Sequence, residues 1–483
     1  MPPWLPEPGY GDFAGEMRLT QGEIDTISKW VQAGAPEGPA AATPPVPAFP
    51  DGWQLGKPDL ILEASKPFAL PASGPNVFWN FIYTPDLKTR RYVRAVEIRP
   101  GDKRVVHHAN LLVDRAGLSK LREASPGAGF PGMEVSLERT SFDFDSHFLF
   151  WKPGTVPQSE PDGLAWTLEP GSSLVLNTHL QPTGKQQMVQ PAVGLYFTSQ
   201  PPDRFPMLIQ LEHDGALNIP AGDRDFPVSD DFRLPEDVDV LAVYPHAHYL
   251  GKLLEAYATL PGGQRIWLIR IPDWDLNWQA VYRYRKPVFL PRGSVISMRY
   301  HYDNSTANPR NPNHPPRRVQ AGNQGTDEMG HLWLQVLPRG RGDRRMELEE
   351  ALMVHRLEKY PGDFLAELKL GAVKLARLDA PGAVPFLEAA VRARPDHPEA
   401  RNLLGSALAR LGRTQDAIGQ FETAIRLRPD YPNAHFNLAN ALAASGKLPE
   451  AIAEYRKLLV LFPNDAAVQD RLQHALTRLG SQP

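Results

Sequence analysis

The sequence predicts a multidomain protein in which two all-β sandwiches are followed by an all-α solenoid of helical repeats. Between about residues 60 and 337, short runs rich in Val, Ile, Leu and Tyr are separated by proline and glycine clusters, as in "YVRAVEIRP" and "SLVLNTHL". After residue 347 the composition shifts to Ala, Leu, Arg and Glu at helical spacing. A length of 483 residues suits about three such domains.

Composition and turn signals also predict where the segments begin and end. Near the start, Thr20 and Glu23 stand in capping-box register and predict a helix that ends at Gly34. "GPAAATPPVPAF" is typical of a stiff linker, and "TSQPPDRFP" is a plausible joint between two sandwiches. The predicted segments are a helical remnant (1–37), a Pro-rich linker (38–58), a first sandwich (59–199), a second sandwich (200–337), a linker (338–347) and the repeats (348–483).

The last segment repeats itself every 34 residues. A helix–turn–helix period of this length, with small residues where helices cross and proline at the repeat end, resembles tetratricopeptide repeats. The resemblance implies about three repeats, a closing helix over "AAVQDRLQHALTRLG", and a scaffold that binds a protein partner. The recurring residues are Pro361, Pro395, Pro429 and Pro463, and Ala383, Ala417 and Ala451.

Composition excludes several classes of function. The formal net charge is −3 and no long basic run is present, so we expect no nucleic-acid partner. No apolar run is long enough to predict a membrane span. The absence of cysteine excludes disulfides, zinc–thiolate sites, Fe–S clusters and covalent haem in this chain. Any metal must therefore be held by His, Met or carboxylates.

Five histidines of the β region stand in patterns that suit metal binding. His107 and His108 are adjacent in "RVVHHANLLV", although neighbouring side chains of a strand point to opposite faces. His179 lies in "LVLNTHL", and His246 and His248 form H-x-H in "YPHAHYL", which places both rings on one face. A polar strand face would explain H-x-H equally well, and ordinary packing is the simpler explanation of the adjacent pair alone.

The identity of the metal can be narrowed by ligand chemistry. Neutral imidazoles suit copper, zinc, iron and nickel, whereas a thioether ligand selects copper, especially Cu(I). The helical H-E-x-x-H motif of zinc hydrolases is absent. Met329, in "GNQGTDEMGHLWLQ", follows a Gly-rich turn and precedes an apolar strand. Alone, a methionine there would be packing, but beside the histidines it favours copper.

In chain order, "VVHHANLLV", "NTHLQPTG", "YPHAHYLGK" and "GTDEM" resemble the copper type II, ascorbate-dependent monooxygenases, the family of peptidylglycine α-hydroxylating and dopamine β-monooxygenases. The resemblance covers roughly residues 60–337. It implies two jelly-roll sandwiches that each hold one copper ion, with the adjacent pair binding through Nδ1 and H-x-H through Nε2. The implied ligands are His107, His108 and His179 in the first domain, and His246, His248 and Met329 in the second.

The same resemblance implies an enzyme that hydroxylates a C–H bond of a small-molecule or peptide substrate. O₂ would be the co-substrate, and ascorbate or another one-electron reductant would supply electrons. Met329, His246 and His248 would mark the catalytic site, and the first set would store an electron. A non-catalytic copper-binding redox relay protein with a repeat scaffold is the alternative.

Two positions depart from the family pattern and bear on the substrate. Tyr244 stands where the peptide-processing members have an arginine that pairs with the substrate carboxylate. Trp333 stands where they have a substrate-contacting tyrosine. We expect these two side chains to line an apolar or aromatic pocket, although packed core residues are equally consistent with the pattern.

The first 37 residues resemble the end of a bacterial c-type cytochrome domain, with Met1 in the place of the axial methionine. No C-x-x-C-H motif precedes it, so we expect no haem in this chain. Members of the monooxygenase family are exported, which implies a periplasmic or extracytoplasmic location. "MPPWLPEPGYGDF" has no signal peptide and by itself predicts a cytoplasmic protein, unless the start codon was assigned too late.

Overall fold

The computed structural model describes residues 4–39, 42, 45, 52–115, 118–132, 147–461 and 465–480. The chain divides into two compact units, Met1–Arg345 and Met346–Pro483. The described strands all lie in the first unit, and helical repeats fill the second, so the predicted order of β domains and α solenoid is confirmed. The jelly-roll connectivity and the domain limits stay predictions. Met1 and residues 40, 41, 43, 44 and 46–51 of the Pro-rich linker lie outside the described residues.

The first half of the β unit is built from two antiparallel sheets that share one core. Leu174 and Leu176 alternate along one sheet and pack with Val93 and Val193 of the other, and all four are fully buried. The four-stranded sheet has the order β1 (Leu60–Glu63), β11 (Ala192–Thr198), β4 (Arg91–Arg99), β8 (Trp166–Leu168); the five-stranded sheet has the order β6 (Phe130–Pro131), β3 (Val77–Tyr83), β9 (Ser173–Leu180), β5 (Val106–Asp114), β7 (Phe150–Trp151); β2 (Phe68–Leu70) pairs with β10 (Gln187–Val189).

The second half repeats this layered plan with two four-stranded antiparallel sheets. Buried Tyr300 and Tyr302 donate hydroxyl hydrogen bonds across the layers to the carbonyls of His331 and Met329, at 2.9 Å each. The orders are β12 (Met207–Glu212), β21 (Gly330–Pro338), β15 (Val238–Ala247), β18 (Tyr282–Leu290), and β14 (Phe226–Arg233), β19 (Val295–Tyr302), β16 (Gly251–Thr259), β17 (Arg265–Ile271); β13 (Asn218–Ile219) pairs with β20 (Val319–Gln320).

An N-terminal strap, residues 4–15, packs along β18 of the second half. Phe13 pairs with Tyr284 as an antiparallel bridge, and their rings lie 5.1 Å apart. Trp4 meets Tyr282 edge to face at 5.4 Å. Phe13 is only 2% exposed, so its side chain anchors the strap in the core of the unit.

The strap leads into α1 (Gln21–Gln32), whose predicted capping box is confirmed. Thr20 accepts from the backbone of Glu23, and the Glu23 carboxylate accepts from the backbone of Thr20. No residue of the helix is buried. Its apolar side chains are between 42% and 58% exposed; they are Ile24, Ile27, Trp30 and Val31.

The second unit consists of antiparallel helix pairs followed by a closing helix. Gly371 and Gly405 lie where paired helices cross: a Cβ at Gly405 would come within 2.6 Å of the Phe421 ring. Ala417 and Ala451 are fully buried, as expected for small residues at crossings. Among the described residues no helix could span a membrane. The helices are α2 (Arg345–Lys359), α3 (Phe364–Ala376), α4 (Ala380–Ala393), α5 (Pro398–Arg410), α6 (Thr414–Leu427), α7 (Pro432–Ala444), α8 (Leu448–Leu461) and α9 (Ala466–Gly480).

The close crossing of α5 and α6 predicts opposite effects for two glycine substitutions. Gly405→Ala should lower the free energy of unfolding by about 1–3 kcal/mol, because its methyl group would overlap the Phe421 ring. Gly419→Ala, on the same helix pair but with no atom within 4 Å of its Cβ, should raise it by about 0.5–1 kcal/mol. Urea unfolding followed by far-ultraviolet circular dichroism measures both. Equal stabilisation by both substitutions would contradict the tight crossing.

Candidate metal centre

A β-bulge in β5 explains how two adjacent histidines reach the same place. Val106 pairs with Leu180 and His108 pairs with His179, so His107 is an extra residue with no partner on β9. A bulge re-aims a side chain that regular pleating would turn to the opposite face. His107 and His108 can therefore point to one side, where His179 joins them from the neighbouring strand.

The three imidazoles form one compact group. One ligand nitrogen from each of His107, His108 and His179 lies within 4.8 Å of the others. Their ring centroids are 5.0–5.2 Å apart, and every pair meets edge to face. The Nδ1 atoms of His107 and His108 are 3.0 Å apart. At this separation one ring can donate a hydrogen bond to the other, and the assignment of these two nitrogens to a metal stays a prediction.

His179 is held firmly but its nitrogens are unused. Its ring stacks on Phe78 at 4.4 Å with an interplanar angle of 17°. Among the described residues, neither ring nitrogen has a hydrogen-bond partner, and both are buried. Burial, together with neighbouring histidines, lowers the pKa of His179 to about 3, so the ring is neutral. Buried nitrogens without partners are costly, and a metal ion would satisfy the one that carries the lone pair.

The second set stands at the end of β15, and its hydrogen bonds leave one defined nitrogen free on each ring. His246 donates from Nδ1 to Oε1 of Gln279 at 2.8 Å, and His248 donates from Nδ1 to the carbonyl of Asp327 at 3.1 Å. Both Nε2 atoms therefore carry a lone pair, which is the tautomer that a metal ligand needs. Burial lowers the pKa of both rings, and that of His246 lies well below its ordinary value.

A buried carboxylate joins the H-x-H segment to the methionine. Glu328 is fully buried; its carboxylate accepts from the backbone N–H of His248, of Met329 at 2.8 Å and of Leu250 at 2.9 Å. Burial raises the pKa of Glu328 to about 8. The β15–β21 register pairs His246 with His331 and ends with Ala247 opposite Gly330, the residues next to His248 and Met329. One Glu328 oxygen accepts from the backbone N–H of both His248 and Met329, so the two backbones lie close together. The thioether as a ligand of this set stays a prediction.

The two histidine sets approach each other through aromatic rings from both halves. Phe150 opposes Asn110 in the β5–β7 pairing and lies 5.8 Å from the ring of His108. On its other side it lies 5.5 Å from Tyr244, which is 6.2 Å from His246. Burial is the largest cause of the low pKa of His108, and the neighbouring rings of His179 and His107 come next. Charge on His246 or His248 would lower this pKa further. The two sets are thus neighbours within one unit.

The predicted pocket residues have different surroundings from those expected. Tyr244 packs on Phe150, and its hydroxyl donates to Oε1 of Gln279 at 2.7 Å, so one amide oxygen serves both Tyr244 and His246. Trp333 pairs with Tyr244 across β15 and β21. Neither side chain lines the cavity described below. Whether they contact a substrate stays a prediction.

Several residues of the centre escaped the sequence argument. Gln279 follows a short 3-10 turn (Leu276–Trp278) and carries no motif. Glu328 directly precedes Met329 in "GTDEM", and this adjacency was the only feature of the sequence that could have indicated a role at the centre. Phe150 lies within "FLFWKPG", where aromatic content alone does not distinguish packing from a role at a site.

Comparison with known proteins identifies the helical region only. A tetratricopeptide repeat family model matches residues 368–432 and 408–466. The crystal structure of MamA is similar over 28% of this chain and 82% of its own, at 24% identity and a TM-score of 0.27. That of YrrB, a TPR protein with an unusual peptide-binding site, is similar over 29% of this chain and 71% of its own, at 21% identity and a TM-score of 0.27. No curated protein matches the chain. The predicted repeats are confirmed by the family model.

Removing the Glu328 carboxylate tests how the second set is held. Glu328→Ala should lower the free energy of unfolding by at least about 3 kcal/mol, because three buried N–H groups lose their acceptor. Glu328→Gln keeps one acceptor oxygen and should cost less. Glu63→Ala, at an exposed strand position, is the matched control and should stay within about 0.5 kcal/mol of wild type. Urea unfolding followed by tryptophan fluorescence measures all three. Equal losses of unfolding free energy for Glu328→Ala and Glu63→Ala would contradict a stabilising role for the Glu328 clamp, the three hydrogen bonds that Glu328 accepts from the backbone of His248, Leu250 and Met329.

Proposed function

We propose that this protein is a copper- and O₂-dependent monooxygenase that hydroxylates a C–H bond of a small-molecule or peptide substrate, with ascorbate or another one-electron reductant. The observation that carries the proposal is the convergence of His107, His108 and His179 in the same unit as the neighbouring rings of His246 and His248. We propose that the first set consists of these three imidazoles and that the second consists of two imidazoles and the thioether of Met329. Thioether and imidazole together favour copper over zinc or magnesium.

The first set fits a metal by its chemistry. His107, His108 and His179 converge with neutral rings, and buried nitrogens of His179 lack partners among the described residues. Neutral imidazoles at low pKa do not need to lose a proton before binding. Desolvation raises the cost of leaving them unpaired, so a cation is the natural partner for the group.

The second set fits by orientation. Gln279 and the Asp327 carbonyl fix the tautomers of His246 and His248, and both Nε2 atoms stay available. The Glu328 clamp fixes the backbone that carries Met329. Copper, when bound, supplies one-electron chemistry and the activation of O₂ for insertion of one oxygen atom into a C–H bond.

The residues around the two sets would restrict the motion of the histidine rings and exclude water from them. Phe78 and Phe150 limit the motion of His179 and His108, and Tyr244 covers His246 from the same strand, β15. Apolar walls of this kind exclude water and control the dielectric environment of a metal ligand. The closeness of the two sets favours transfer of an electron from the all-imidazole site to the thioether site within one unit.

One observation favours the alternative of a non-catalytic copper-binding redox relay. Tyr244 occupies the position where a substrate anchor would be expected, and its ring is packed against Phe148 and Phe150 of the first half. A relay needs two metal sites in contact and no substrate pocket at Tyr244. Ascorbate-driven O₂ consumption coupled to a hydroxylated product separates the enzyme from the relay.

The repeats support a protein partner in either case. Tetratricopeptide repeats are interaction scaffolds that present a concave face, and the family model covers residues 368–432 and 408–466. We propose that this unit brings the β unit to its partner protein, whose identity the repeats do not encode in a readable motif.

Copper content after loading and desalting tests the two-site proposal. The wild type should retain about two ions per chain, and His179→Ala about one, because the first set loses a ligand. His301→Ala replaces a histidine bonded to Asp225 outside both sets and should keep both ions. Metal analysis by atomic absorption gives the stoichiometry. Wild-type protein that retains no copper would refute the proposal.

Substitution of Met329 tests which set handles O₂. Met329→Ala should abolish O₂ consumption by the ascorbate-reduced protein while the first ion stays bound, because only the second set loses a donor. Met188→Ala, at a methionine that is 56% exposed, is the control and should consume O₂ like wild type. An oxygen electrode and the copper content of the same samples provide both readings. Unchanged O₂ consumption in Met329→Ala would contradict this assignment.

A further inference from the structure

A cavity of about 310 Å³ lies beside the two histidine sets, where the strap and the two halves of the β unit meet. Its volume is at the lower end of the range for small-molecule sites. Seven aromatic residues from all three parts contribute to its wall; they are Trp4, Phe148, Phe150, Trp151, Trp166, Trp278 and Tyr282. Such a wall suits a flat apolar body.

The cavity wall contains one cation with no carboxylate to neutralise it. Lys152 is half-buried, and its Nζ donates only to the carbonyl of Trp278 at 3.4 Å and lies 5.9 Å from the Trp278 ring. Among the described residues it forms no ion pair. A partly buried ammonium with one long hydrogen bond can still bind an anion strongly.

The other charged groups of the wall are already engaged. Arg283 pairs with Glu160 at 3.3 Å. Glu97 accepts from the backbone of Gln54 at 2.8 Å and of Leu55 at 3.2 Å. Among the described residues of the wall, Glu160 and Arg283 neutralise each other, Glu97 is hydrogen-bonded to backbone N–H groups, and Lys152 is the cation without an ion pair, so Lys152 is the point at which an anionic group would bind.

The cavity also adjoins the histidines. Phe150 lines it and lies 5.8 Å from the ring of His108. Burial lowers the pKa of His107, and the positive charge of Lys152 lowers it further. A ligand anchored at Lys152 would extend along Phe148 and Phe150, the side of the cavity that faces the two sets.

We propose that this cavity binds a small carboxylate with an aromatic or apolar body, and that Lys152 anchors the carboxylate. The identification of this ligand as the substrate rests on the proposed function. The anchor comes from the first half of the unit, whereas Tyr244, where the family resemblance led us to look for a substrate contact, lies outside the cavity wall.

Binding of 3-phenylpropanoate and of its uncharged isostere 3-phenylpropanamide to the copper-free chain tests this directly. Isothermal titration gives the dissociation constants, and quenching of tryptophan fluorescence reports on Trp4, Trp166 and Trp278 in the wall. The acid should bind about 10- to 100-fold more tightly than the amide, as expected for a charge-assisted hydrogen bond in a partly buried site.

Variants assign the preference to Lys152. Lys152→Met should weaken acid binding by about tenfold or more and leave amide binding unchanged, and Lys152→Arg should restore part of the preference. Lys185→Met, at an exposed lysine, is the matched control and should behave like wild type. Affinity of the wild type for the acid should also fall as pH rises through about 8, the pKa to which burial lowers Lys152. The titratable groups around Lys152 are the neutral imidazole of His107 and the wall residues Glu97, Glu160 and Arg283.

Three outcomes would overturn the inference. They are equal binding of acid and amide, no binding of either, and binding of the acid by Lys152→Met that is as tight as its binding by the wild type. Strong binding of ascorbate with none of the phenyl acid would also overturn it, because the cavity would then admit the reductant. These readings need no copper. A chain that binds the acid but retains no copper would refute the proposed function alone, and a chain that retains two ions without an acid preference would refute this inference alone.

Discussion

Burial of five neutral imidazoles is the constraint on which the rest of the β unit depends. A desolvated imidazole nitrogen needs a partner, and the structure gives partners to some nitrogens and withholds them from others. In the second set, oxygen acceptors take each Nδ1 and leave Nε2 free. In the first, both nitrogens of His179 are left without a protein partner among the described residues. Among the described residues, both sets therefore keep imidazole nitrogens that have no protein partner and could donate a lone pair to a metal, and the two sets are neighbours in the fold.

Contact between the two halves gives these donors a common environment. The ring of Phe150 lies between His108 and Tyr244, and Tyr244 in turn shares the Gln279 oxygen with His246. The same contact packs Tyr244 against Phe150. Phe150 also lines the cavity that we propose as the ligand site, whereas Tyr244 is not among its lining residues.

The sequence was most informative where a pattern repeats or where ligand types coincide. The 34-residue period predicted the helix pairs, and H-x-H predicted two rings on one face, because both follow from backbone geometry alone. The extra residue at His107 was not predictable as a bulge, since register depends on which residue of β9 it faces. The roles of Gln279 and Lys152 depend on contacts more than 30 residues apart along the chain, which no local pattern encodes.

The N-terminal strap has a consequence for the order in which the protein is made. Phe13 pairs with Tyr284, which leaves the ribosome some 270 residues later, so the strap cannot dock until that part of the chain has been synthesised. Closing so long a loop costs little more entropy than closing a moderate one, and the delay is therefore kinetic rather than energetic. Since Trp4 completes the cavity wall, a nascent chain acquires its binding cavity only when β18 has been synthesised. Binding of the proposed ligand would then require a chain translated at least through β18, with β19, β20 and β21 of the same unit still to follow.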